Sequence, residues 1–254
     1  MDSQNEKCTA LAALHKSKEA WVIPNPWDAG SAQDLEKLGF KALATSSAAC
    51  AYTLGKKDGA VTFDEKMAHC QSIVSNTNLP VSVDFEDGYS NQPKEVAANV
   101  LKLVSSGVAG CSIEDFSRVD QKIFDFNHSI ERITAAVEAV AGLDMPFQLV
   151  ARADGLLRGH ADLDDAVNRL QAFSKTGAHM VYAPGLNSLE QVSLVSNAVD
   201  KPLNVLSPLL PGVSVQAIGE AGGTRISLGS ALLEKTRASF RGSMKEMISS
   251  GLAS

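Results

Sequence analysis

The sequence predicts a (β/α)8 barrel, residues 1–254 forming a single domain, with a doubly wound open sheet as the alternative. Three observations lead there. Short apolar runs of strand character recur eight times, and each is followed by an amphipathic stretch with apolar residues three and four apart. The helix-like stretches also carry start and stop signals at their ends. A chain of 254 residues that is 44% hydrophobic can bury the core this architecture requires.

A polar helix candidate over residues 4–18 comes first. The runs AWVIPN, KALATSS, PVSVDFE and AGCSIED start near residues 20, 41, 80 and 109 and read as the first four strands. FQLVARAD, HMVYAPG, PLNVLS and RISLG, starting near 147, 179, 202 and 225, read as the last four. Between them, stretches such as PKEVAANVLKLVSSG and DLDDAVNRLQAFSKTG have helical periodicity. Asp28, Asp162 and Ser188 sit where N-caps belong, and Gly39, Gly107 and Gly177 fall just past last turns.

Composition excludes several functional classes. The formal charge is −6 with Lys and Arg scattered, which leaves no basic footprint for nucleic acid. The polar start MDSQNEKCTA has no apolar signal core, and no apolar run is long enough for a membrane span, so a cytoplasmic protein is expected. Cys8, Cys50, Cys70 and Cys111 are far apart, without the spacing of a zinc site or disulfide framework, and read as reduced thiols.

Barrel enzymes place chemistry at the C-terminal ends of their strands. In this chain those ends are Asn25; Ser46 and Ser47; Asp84 and Glu86; Glu114 and Asp115; Arg152 and Asp154; and Asn204. The two-residue period puts Val81, Val83 and Phe85 on one face of the third strand and Ser82, Asp84 and Glu86 on the other. By the same parity Glu114 and Arg152 point inward, so Asp84, Glu86, Glu114 and Arg152 should meet at the mouth. Asp87 and Asp115 fall off that parity and read as turn or capping residues. Three inward acids need more positive charge than Arg152 supplies, and carboxylates without His or Cys select a hard dication: Mg2+, with Mn2+ as the alternative. Arg152 can then grip a substrate carboxylate with its planar fork, with Ser46, Ser47 and Asn204 as polar neighbours. A small anionic acid is the implied ligand.

The ordered set PNPWDAGSA, ALATSSAA, KKDGAVTFDE, DFEDGYS, IEDF, LVARAD and PLNVL resembles the isocitrate lyase and phosphoenolpyruvate mutase superfamily, from about Trp21 to the last strand. The resemblance implies Mg2+-dependent chemistry on 2-oxo or 2-hydroxy acids through an enolpyruvate intermediate. It also implies a homo-oligomer, dimer or tetramer, with the last helix exchanged between neighbours. It assigns Asp84 as the acid nearest the metal, Glu86 as the second acid and Glu114 as an acid on the metal's water shell. Arg152 would hold the substrate, Ser46, Ser47 and Ala48 the pyruvyl carboxylate, and Asp58 a metal-bound water.

Departures from the pattern narrow the chemistry. The segment after strand four, FSRVDQKIFDFNHS, has neither the K-x-C-G-H cysteine of the carbon–carbon lyases nor the K-T-N-S motif of the phosphonomutases, and Ala44 stands where a tryptophan is expected. A lyase that cleaves a carbon–carbon bond or decarboxylates an oxaloacetate-like acid fits best, since decarboxylation needs no proton donor at the cleavage step. Arg118, Asp120, Lys122 and His128 would close over the substrate. The alternative within the superfamily is a phosphonopyruvate or phosphoenolpyruvate P–C mutase or hydrolase, using Asn127 or Ser129. From another class comes a non-catalytic anion-binding barrel, with the glycine-rich GEAGGTRISLGSALLEKT as its phosphate site.

Overall fold

Each strand-like run becomes a strand. The computed structural model describes residues 3–251. Helix α1 (Gln4–His15) starts at a Ser3–Glu6 capping box and ends three residues before the sequence-based boundary, at a Lys16 cap. There follow β1 (Trp21–Ile23), α2 (Ala29–Lys37), β2 (Leu43–Ala44), α3 (Ser47–Thr53), α4 (Phe63–Val74), β3 (Val81–Asp84) and α5 (Pro93–Val104). Next are β4 (Gly110–Glu114), a short hairpin β5 (Phe116–Ser117) and β6 (Lys122–Ile123), α6 (Phe126–Ala141), β7 (Gln148–Arg152), α7 (Gly155–Arg158) and α8 (Leu163–Lys175). The last third holds β8 (Met180–Tyr182), α9 (Leu189–Ala198), β9 (Leu203–Leu206), α10 (Val215–Glu220), β10 (Gly223–Ser227) and α11 (Ala231–Ser250). The caps lie where the sequence places them: Asp28, Asp162 and Ser188 each accept a backbone N–H of the first turn.

Eight strands form one parallel sheet in the order β1–β10–β9–β8–β7–β4–β3–β2. The seam between β1 and β2 is bridged by the Ala44 N–H donating to Pro24 O at 3.0 Å. This is the (β/α)8 barrel.

The parity argument holds along the regular strands. Val83, Cys111, Ile113, Leu149 and Ala151 lie in the main core between barrel and helices, whereas Val150, Met180 and Tyr182 form a separate apolar cluster. Helix α1 closes the N-terminal end: Gln4 Nε2 donates to Val104 O and Val108 O, and His15 pairs with Gln148 at the start of β7. Among the described residues no helix is long and apolar enough to cross a membrane.

Candidate active site

At the C-terminal ends of the strands lies a cavity of about 140 Å3, lined by Ser46, Ser47, Ala48, Asp58, Asp84, Arg152 and Asn204 among others. A smaller one of about 30 Å3 shares Ser47 and Asp58 with it and adds Glu86, Glu114, Arg118 and Arg158. The metal and substrate candidates of the sequence, Ser46, Ser47, Ala48, Asp58, Asp84, Glu86, Glu114, Arg152 and Asn204, each line one of the two, whereas Lys122, Asn127, His128 and Ser129 line neither. Their arrangement differs from the expectation in three respects.

The first concerns Arg152. Its guanidinium is buried and committed within the protein. Nη1 lies 3.3 Å from Asp84 Oδ1 and Nη2 lies 3.2 Å from Glu114 Oε2. Asp154 grips it from the other edge, accepting from Nε and, at 2.9 Å, from Nη2. The guanidinium is therefore not a vacant fork for a substrate but the hub that sets the positions of Asp84 and Glu114. Burial alone would lower its pKa, but Asp154, Glu114 and Asp84 outweigh that and raise it well above the ordinary value.

Glu86 is the second departure. Strand β3 ends at Asp84, and the chain turns with Glu86 in left-handed backbone (φ 51°), so the two-residue alternation stops before it. Its carboxylate accepts from the Tyr89 hydroxyl at 2.8 Å and faces Lys66 Nζ at 3.5 Å. Lys66 is fully buried and also donates to Asp84 O. Burial disfavours the ammonium, yet Glu86 and Asp84 together raise its pKa, keeping it charged. Burial also raises the Glu86 carboxyl, against the pull of Lys66.

The third departure is the segment after β4. It is pinned rather than free: Arg118 Nε donates to Asp87 Oδ1 at 2.9 Å and Nη1 to Val61 O at 2.8 Å. Asp120 takes bonds from Asn91 and Ser117, and His128 Nε2 lies 2.8 Å from Asn91 O, turned from the cavities, while Lys122 is exposed. Ser129 is buried, donating to Asp125 O and accepting from Arg169. Asp87 and Asp115 serve as framework acids: Asp87 holds the hairpin through Arg118, and Asp115 ties the Asp154 N–H to Arg169.

Asp84 is the best-formed acid. It accepts from the Ser47 N–H at 3.0 Å, which aims the start of α3 at it, and its own N–H donates to Thr45 Oγ1. Burial would raise its pKa, but Arg152 and Lys66 hold the carboxyl below the ordinary range. Glu114 is the opposite case: burial, then the Asp154 carboxylate, push its pKa well up, with Arg152 and Arg158 opposing. Ser46 caps α3, accepting from the Ala49 N–H. Asn204 is fully buried, donating to Ser227 Oγ.

The donor set suits a dication held largely through water. Asp84, Glu86, Glu114 and Asp154 bring four carboxyl groups to the rim, ion-paired with Lys66, Arg152 and Arg158, and Asp58 lines both cavities. Among the described residues no three His, Cys, Asp or Glu side chains converge into a complete cage. Few carboxylate ligands supplemented by water is the habit of Mg2+. Asp84, facing the larger cavity, could hold such an ion, with Glu86 and Glu114, which line the smaller cavity, left to order its waters.

Lys66, Asp154 and Arg158 went unassigned in the sequence reading, although signals existed. Lys66 occupies the stripe that buries Cys70 and Ile73 on α4, where an ammonium demands a partner. Asp154 repeats the inward parity of Arg152. The glycine-rich segment is not a phosphate cradle, because the Leu228 and Gly229 N–H groups already donate to Asn25 Oδ1 at 2.8 and 2.9 Å.

Comparison with known proteins follows the same lines. Residues 11–248 match the family model described as phosphoenolpyruvate phosphomutase. The crystal structure of a protein from Burkholderia cenocepacia, described as a lyase or mutase, superposes with a TM-score of 0.92 at 39% identity, covering 96% of this chain and 88% of that one. A 2-methylisocitrate lyase of Halalkalibacterium halodurans is 30% identical over 206 residues, 79% of this chain and 67% of its own length. An oxaloacetate decarboxylase of Paraburkholderia xenovorans is 31% identical over 186 residues, 70% of this chain and 60% of its own.

Proposed function

This chain belongs to the phosphoenolpyruvate phosphomutase family, within the isocitrate lyase and phosphoenolpyruvate mutase superfamily, and on that premise we propose that it is a carbon–carbon lyase. The superfamily consists of lyases and mutases, so the chain is an enzyme of that kind. Its substrate in this reading is a small 2-oxo or 2-hydroxy acid, cleaved or decarboxylated to an enolpyruvate fragment, as the named relatives that act on methylisocitrate and oxaloacetate suggest.

The observation that carries the lyase side is that the loop residues read as phosphoryl partners lie away from the cavities. Moving or hydrolysing a phosphoryl group requires a residue to accept it or to orient water. Asn127 and Ser129 are the candidates for that role, and neither lines either cavity. Decarboxylation or C–C cleavage needs charge stabilisation first, and the rim is built for that.

Asp84 would hold Mg2+ directly, with Glu86, Glu114 and Asp58 ordering its waters; bound there, the ion would withdraw electrons from a chelating 2-oxo carboxylate. Ser46, Ser47 and Ala48 orient the carboxylate at the start of α3. Arg152, fixed by Asp154, presents its positive charge where negative charge develops as the bond breaks, and being prepositioned it needs no reorganisation. The Arg118–Asp87 pair holds the hairpin beside the smaller cavity and limits water there. A cytoplasmic homo-oligomer with α11 exchanged between neighbours completes the reading.

The test is a panel of oxaloacetate, 2-alkylmalates and phosphonopyruvate with Mg2+, followed by pyruvate and phosphate release. Pyruvate from a carbon acid is the expected result, lowered in Glu114→Gln. Phosphate from phosphonopyruvate without turnover of any carbon acid would make the protein a P–C enzyme instead.

A further inference from the structure

Below the rim, part of the barrel interior is lined by small side chains. Barrel interiors are filled by layers of bulky branched side chains. Here four inward positions under the rim are small, Ala44 on β2, Ser82 on β3, Ser112 on β4 and Ser227 on β10, and all four line the larger cavity, while Val150, Met180 and Tyr182 fill the side formed by β7 and β8. These small side chains leave a polar shaft leading down from Asp84 and Arg152. At its lower end is Arg225, which lines the same cavity.

Arg225 is 4% exposed and has no acidic partner among the described residues. Its Nε donates to Asn204 Oδ1 at 2.6 Å, and Nη1 faces His15 Nε2 at 3.3 Å. His15 Nδ1 in turn lies 3.0 Å from Gln148 Oε1. Burial, and then the neighbouring guanidinium, depress the His15 pKa well below the ordinary value. The imidazole is therefore neutral: its Nδ1–H donates to Gln148 and its Nε2 accepts from Arg225. These contacts fix the guanidinium plane without neutralising it. Its remaining nitrogen, Nη2, has no acceptor among the described residues and is not sealed from the cavity. Burial lowers the Arg225 pKa to about 10, with no carboxylate to offset it, so the group is cationic at neutral pH.

The comparison with Arg132 is instructive. That arginine is equally buried and its pKa is likewise lowered to about 10, but its guanidinium is spent on the carbonyls of Glu114, Asp87 and Ser90, with acids nearby, and it lines neither cavity. Arg132 is a structural brace. A buried guanidinium with an open nitrogen, no counter-ion and a shaft in front of it is costly for folding alone, and a carboxylate is the planar anion that its geometry matches.

We propose that Arg225 anchors a second carboxylate site at the foot of this shaft, so that the cavity takes a linear dicarboxylate with one end at the Ser46–Ser47 rim and the other on Arg225. The proposal rests on the functional reading above only in taking this cavity as the place where the reacting acid binds. It adds where the second carboxylate of such an acid sits, on Arg225, and makes Arg225 a specificity-determining residue.

Calorimetric titration tests it without turnover. Malonate, succinate and glutarate would each be compared with the monocarboxylate of the same length: propionate, butyrate and pentanoate. At least one diacid should bind the wild type about tenfold or more tightly than its monoacid, and Arg225→Met should abolish that preference while leaving monoacid binding unchanged. Ser82→Leu, which fills the shaft without touching Arg225, should abolish it too, and covers the case in which Arg225→Met fails to fold. Equal binding of diacids and monoacids by the wild type, or a preference that survives in Arg225→Met, would overturn the proposal. Failure of the lyase reading appears differently, as no turnover in the substrate panel with the diacid preference intact.

Discussion

A buried charge is tolerated where its partner is fixed, and the rim contains two such arrangements with different consequences. Lys66 and Glu86 face each other at 3.5 Å with both side chains almost fully enclosed. Lys66→Met would strand the Glu86 carboxylate, and breaking a buried pair from one side costs about 3–5 kcal/mol. Urea denaturation should show that loss, and most of it should return in Lys66→Met/Glu86→Gln, where neither charge remains. A single variant within about 1 kcal/mol of wild type would mean that the pair does not support the turn. Arg152 differs because its neighbours are themselves proposed to act. Arg152→Lys keeps a charge but cannot hold Asp84, Glu114 and Asp154 together. We expect a folded protein whose kcat/KM on its best carbon acid falls at least about a hundredfold, or about 2.7 kcal/mol. Residue identity was legible in the sequence for Asp84, Glu114, Arg152 and the serines because strand parity is a covalent regularity. It was less direct at Glu86, two residues past the end of β3, where a left-handed turn sets the side chain on Lys66 and Tyr89 beside the smaller cavity. It failed at Lys66 for another reason: the residue belongs to a helix, and only the assembled barrel shows that its buried stripe faces the acids.

At the scale of elements, helix α1 makes stability depend on pH. His15 reaches from its last turn to Gln148 and Arg225, so the helix seals the barrel through a neutral imidazole. His69 and His179 are also lowered by burial. In all three the folded state binds a proton less readily than the unfolded chain, whose histidines titrate at about 6.5. Their contribution is therefore full above about pH 6.5 and is lost as pH falls below it, with a slope of up to about 1.4 kcal/mol per pH unit for each proton. His15→Gln should flatten the curve by about one proton when urea midpoints are compared from about pH 7.5 to about pH 5. An unchanged slope would place the acid sensitivity elsewhere. The eight strands and their helices were legible because alternation and caps are local signals. The hairpin β5–β6 and the short helices α3 and α7 were not. Their residues have neither an apolar period nor the length for one, and their conformations come from long-range bonds such as Arg118 to Asp87 and Asp154 N–H to Asp115.

The whole molecule leaves one element unaccounted for. Helix α11 runs for 20 residues, yet Leu233 is its one buried residue. Beyond that point Phe240, Met244, Met247 and Ile248 recur at helical spacing on one face, with Phe240 67% and Ile248 69% exposed. A twenty-residue helix does not persist in water on propensity alone, and this one has little tertiary packing within its own chain. An apolar stripe of that kind calls for another surface, and a second copy of the chain is the partner the proposed oligomer supplies, its own α11 crossing in return. Charging the stripe separates assembly from folding. Phe240→Asp/Ile248→Asp should reduce the mass measured by light scattering to that of a single chain, while circular dichroism retains the barrel, since neither residue contributes to the core. Activity in that variant is informative as well. The rim residues all come from one chain, so turnover should survive in proportion to the folded barrel if oligomerisation only stabilises it. A folded but inactive monomer would mean instead that a neighbour's helix completes the site.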